Sequence, residues 1–76
     1  MKDLLEVIIK GLVDKKDEVS IEEKETDKMT ILSVRVSKDD MGKVIGKQGS
    51  MAKSIRMVMK AVASKEHKKV NVEFVD

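Results

Sequence analysis

The sequence predicts an α+β fold in the order αββααβ, with a three-stranded sheet packed against three helices. Apolar residues recur at helical spacing in two long segments, and the period shifts to two in three others. Between two helical stretches lies GKQG, a glycine-bounded tetrad that fits neither period. At 76 residues the chain reads as one domain, residues 1–76. A chain this short buries only about 60% of the surface that its unfolded form exposes. Small domains of this kind lean on disulfides, metals or a partner chain. With no cysteine and one histidine, a partner chain is the expected support, and no metal or other cofactor is expected.

Leu5, Ile8, Ile9 and Leu12 fall at helical spacing, with Asp3 and Glu6 near the positive helix start, so helix is expected from Lys2 to Val13. Asp14-Lys15-Lys16-Asp17 breaks that pattern. Val19 and Ile21 then alternate with Glu18, Ser20 and Glu22, which predicts a strand with one wet face. Glu25-Thr26-Asp27-Lys28 reads as a turn. Leu32, Val34 and Val36 follow, pointing away from Ser33 and Arg35, and complete an antiparallel hairpin. Ser37-Lys38-Asp39-Asp40 supplies capping residues for a short helix from Asp40 to Ile45. Past Gly49, Met51, Ala52, Ile55, Val58, Met59, Val62 and Ala63 share one apolar arc of a long helix, Ser50 to Ser64. After a polar connection over Lys65–Lys69, Val70, Val72 and Phe74 alternate as a third strand, with Phe74 assigned to the core.

Charge is divided unevenly. Residues 1–40 carry a net charge of −3 and residues 41–76 a net of +5. Residues 41–65 hold six bases (Lys43, Lys47, Lys53, Arg56, Lys60 and Lys65) and no acid, the footprint of a polyanion partner. The acidic hairpin should repel such a partner from its own side. One Phe and no Trp or Tyr exclude recognition by aromatic base stacking, so contact must run through phosphates and apolar packing. No nucleophile–base pair or metal-ligand set is present, and an enzyme is not expected. No apolar run approaches the ~20 residues that span a membrane, and a cytoplasmic location is expected.

VIGKQG, Val44 to Gly49, is the most specific feature. Gly46 and Gly49 permit positive φ and remove the Cβ that would keep a ligand away. Lys47 and Gln48 present a cation and an amide at the tip. Ser50 opens a helix whose first N–H groups favour an anion. Val44 and Ile45 anchor the preceding turn. The pattern reads as a clamp on a phosphate backbone. No GxxxxGK[ST] or G-x-G-x-x-G after a strand competes with it.

Set within DDMGKVIGKQGSMAKSIRMVMKA, between MKDLLEVIIKGLVD and VNVEFVD, this loop resembles that of a KH domain, and the order αββααβ resembles the type II form. The resemblance covers essentially the whole chain and is nearest to the KhpA (YlqC) family of small stand-alone bacterial KH proteins. One departure is Ala52, where many KH domains carry Ile. The family implies binding of single-stranded RNA with low sequence specificity, as a post-transcriptional regulator or RNA chaperone. It also implies self-association, or pairing with a larger KH-containing protein of the KhpB kind. The RNA contacts expected here are Lys43, Val44, Ile45, Gly46, Lys47, Gln48, Gly49 and Ser50, continued along the long helix by Lys53, Arg56 and Lys60.

At about 100° per residue from Ala52, the apolar arc of that helix centres near roughly 300°, and Lys53, Arg56 and Lys60 form a stripe at about 100°, 40° and 80°. The opposite face, Ser54, Met57 and Ala61, lacks charge and is the expected dimer contact. The six methionines read as core filler and His67 as a solvated loop residue. The competing reading is a protein-interaction subunit in which the two glycines are only structural. The Lys and Gln at the tip argue against it.

Overall fold

A mixed three-stranded sheet, order β1-β2-β3, carries one helical layer in the computed structural model, which describes residues 1–75. The elements are α1 (Lys2–Leu12), β1 (Ser20–Glu25), β2 (Thr30–Arg35), α2 (Met41–Ile45), α3 (Ser50–Lys65) and β3 (Val70–Val75). This is the expected order αββααβ.

The amphipathic α1 buries Leu5 and Ile9, and Val13 just beyond its end is also buried. Glu6 and Lys10, one turn apart, close an exposed ion pair at 2.8 Å that contributes little to stability. The hairpin is antiparallel, with Ile21 opposite Val34. Its turn is held by Thr26, whose hydroxyl accepts the Met29 N–H at 3.1 Å and donates to the Met29 carbonyl at 3.0 Å. β3 returns parallel to β2, with Leu32 opposite Val72, so the two helices and the glycine loop lie within a crossover connection.

Leu32, Val34 and Val72 from the sheet meet Leu5, Ile9, Val44, Ile55 and Met59 from the helices. Each such side chain, once buried, contributes about 1.5–3 kcal/mol. The outer strand β1 protects its open edge with exposed Glu22, Glu23, Lys24 and Glu25.

Two expectations, one for α3 and one for β3, need correction. Val58, expected in the core, is 46% exposed. Phe74 is half-buried at the margin rather than enclosed. Both follow from how α3 sits on the sheet. Its buried residues are Ala52, Ile55, Met59 and Ala63, whose mean direction lies roughly 40–50° from the centre of the apolar arc, toward the basic stripe. That rotation draws Arg56 into a half-buried position and turns Val58 out to solvent beside Met57.

Candidate nucleic-acid interface

α2 ends at Gly46, whose N–H still reaches the Gly42 carbonyl at 2.9 Å. Gly46 then takes φ 75° and ψ 176°, and a Cβ there would lie 2.8 Å from the backbone nitrogen of Met51. Only glycine fits. Lys47–Gly49 make a single tight turn, closed by Gly49 N–H to the Gly46 carbonyl at 3.2 Å. Gly49, at φ 76°, is left-handed as expected. Gln48 is left-handed too, at φ 55°, which the sequence did not signal. A residue with a Cβ is held in strained backbone at the exposed tip, where such strain is usually functional.

Val44 is fully buried and Ile45 half-buried, so the loop has a fixed root. Lys47, Gln48 and Ser50 are exposed. No described side chain caps the start of α3; the Ser50 N–H is bonded to the Lys47 carbonyl, and the N–H groups of the turn that follows it have no side-chain acceptor from the cap. Lys53 and Lys60 continue the exposed line along α3.

Two of the expected contacts are placed differently. The Lys43 ammonium is bonded to the Asp14 carboxylate and lies 3.4 Å from Asp40. The bond to Asp14, above all, raises its pKa. Its charge is offset at the root of α2 rather than presented with the loop. Arg56 donates from Nε to the Val72 carbonyl at 3.0 Å, and its guanidinium lies 5.4 Å from the Phe74 ring centroid. Because the Lys69 carbonyl points to β2, where it accepts from Thr30 at 2.9 Å, strand alternation turns the Val72 carbonyl to the open side. Arg56 thus covers part of the open edge of β3.

Asp40 stands at the N-cap position of α2, but its side chain does not cap that helix. Read as part of a cap, it is instead 2% exposed and reaches back to the end of α1. There it accepts the backbone N–H of Lys15 at 2.9 Å and of Asp14 at 3.3 Å. The Lys15 N–H bond, first of all, holds its carboxyl below the usual range, and the Asp14 N–H and Lys43 add to this. Ser37 does the capping, accepting the Asp39 N–H at 3.3 Å. Ser54, Met57 and Ala61, the expected dimer contact, are all exposed, and Val58 adjoins them.

A short helix, a glycine-bounded turn and a long helix, inserted between two parallel strands after an N-terminal helix and strand, define a KH domain of the type II order. The model of the KhpA/KhpB KH-domain family matches residues 2–74, and the chain belongs to that family. It is 55% identical over 75 residues to the RNA-binding protein KhpA of Clostridium perfringens, covering 99% of this chain and 100% of that one. It is 46% identical to the RNA-binding protein KhpA of Listeria monocytogenes, over the full length of both. To the RNA-binding protein KhpA of Aquifex aeolicus it is 40% identical, covering all of this chain and 96% of that one. No solved structure is a significant match. Among the described residues, no helix is long and apolar enough to cross a membrane.

Proposed function

We propose that this protein binds single-stranded RNA, clamping its sugar–phosphate backbone with the GKQG loop at low sequence specificity, and acts as a post-transcriptional regulator or RNA chaperone. The observation that carries the reading is the loop itself. Gly46, Gln48 and Gly49 hold positive φ together, with the Lys47 side chain and the uncapped start of α3 beside them. A phosphate seated there meets backbone N–H groups and a cation, with no Cβ in the way. The names of the relatives point the same way.

Fluorescence anisotropy on a short single-stranded RNA across a salt series tests it. With about three phosphates neutralised, affinity falls roughly 10- to 20-fold between 50 and 200 mM salt. Binding that ignores salt rejects the clamp.

The second part of the proposal is pairing, with a second copy or with a larger KH-containing protein. The Ser54, Met57, Ala61 face, widened by Val58, supplies the contact, because it is a helical surface without charge. Two clamps on one strand then gain effective concentration. Ala61→Arg should convert a dimer to a monomer in light scattering and weaken RNA binding with no phosphate contact altered. A variant that stays dimeric moves the interface elsewhere.

A further inference from the structure

At the opposite end of α3 from the glycine loop lies a hollow of about 660 Å³. Met29 and Val70 give it an apolar lining, and Lys60, Lys68 and Lys69 line it with cations. No acid lines it. A neighbouring hollow of about 360 Å³ shares Lys68 and Lys69 and adds Lys28, but Glu25 and Asp27 line it as well and offset much of that charge. His67 lines both, and its backbone is left-handed at φ 58° where glycine would be unstrained.

We propose that the larger hollow is a second nucleotide subsite, taking the base of a further RNA residue on Met29 and Val70 and its phosphate on Lys60, Lys68 and Lys69. The inference rests on the clamp reading and extends it along the strand. Lys60 stands ten residues beyond Ser50 on one continuous helix, about 15 Å away. Four to five stacked nucleotides rise the same distance at about 3.4 Å each. The hollow therefore begins where a clamp on four nucleotides ends, and Lys53 and Lys60 mark the path between the two. Apolar surface beside clustered ammonium groups suits a nucleotide better than either a bare anion or an apolar peptide.

NMR titration with oligouridylates of four and eight nucleotides tests this on the intact protein. The tetramer should shift the amides of Gly46 to Ser50, and the octamer should shift those of Lys68 to Val70 as well. Lys68→Ala combined with Lys69→Ala should leave tetramer affinity unchanged and cost the octamer roughly 5- to 10-fold, a loss equal to about two weakened phosphate contacts. An octamer made abasic over its last four positions should lose the shifts at Val70. The subsite is overturned if the variant weakens both oligomers equally, which would mark a diffuse field, or weakens neither. It is also overturned if the abasic octamer shifts Val70 as the intact one does. Wild-type protein that binds neither oligomer overturns the clamp reading itself and this one with it.

Discussion

Lys43 and Lys47 stand four residues apart at the two ends of one short segment, and their surroundings differ completely. Lys43 lies at the root of α2, between Asp14 and Asp40, in a junction where each charge has a partner and the central carboxylate is buried. Lys47 lies at the tip, exposed, on a turn bent through left-handed backbone. The root spends its polar groups on the protein, whereas those of the tip face solvent. A basic tract in a sequence therefore divides in the fold into cations paired within the protein and cations open to solvent, and the division follows where carboxylates from elsewhere in the chain arrive.

The sharpest way to break this contrast is to reverse the charge at the tip. Lys47→Asp with Gln48→Asp places two carboxylates where phosphates would sit, and RNA affinity should fall by at least about 100-fold. Both side chains are exposed, so the melting temperature by circular dichroism should move by less than about 3 °C. Unaltered affinity in the folded variant would erase the functional half of the comparison.

At the root the effect should fall on stability instead. Asp40→Asn keeps one acceptor but turns an amide N–H toward a backbone donor in a closed site. The midpoint should drop by roughly 5–10 °C. The pH dependence has a definite sign. The Asp40 carboxyl is held below its unfolded range near 3.9, so its contribution is fully present above about pH 5 and is lost as pH falls through the folded value. The gap between wild type and variant should therefore narrow between about pH 5 and pH 2. A gap that is constant with pH would mean that the carboxylate charge is not what the junction uses.

The smallest effect sharpens the boundary between the two. Lys43→Ala should change RNA affinity by less than about threefold and lower the midpoint by a few degrees, because its ammonium faces Asp14 and Asp40. A large loss of binding with an unchanged melt would return Lys43 to the interface.

Most of the fold was legible because it rests on local periods. The alternation of Leu32, Val34 and Val36 and the spacing of Leu5 and Ile9 each determine which face turns inward, and all five are buried. The parts that were not legible depend on how separate elements meet. A helical wheel shows that Val58 is apolar, but not that α3 settles with its arc turned toward Arg56. Asp40 looked like a cap since an acid before a helix usually is one. Its real partners lie 25 and 26 positions earlier and have no signature in the sequence. The glycines of the loop announced their positive φ, whereas Gln48 is forced into it by closure of the turn.

The parallel pairing of β2 with β3 also bears on when the protein becomes competent. The hairpin of β1 and β2 closes through near neighbours and forms early, but the glycine loop sits inside the long connection that only β3 ties down. During synthesis the loop leaves the ribosome well before the strand that completes its support. Until Val70–Val75 has been made and has paired, α3 has no parallel strand to close its crossover, although the junction of Asp40 with Asp14 and Lys15 at the loop's root already has all its partners. The long helix behind the loop thus draws its sheet-side support from a strand that follows it, while the loop's root draws on residues that precede it.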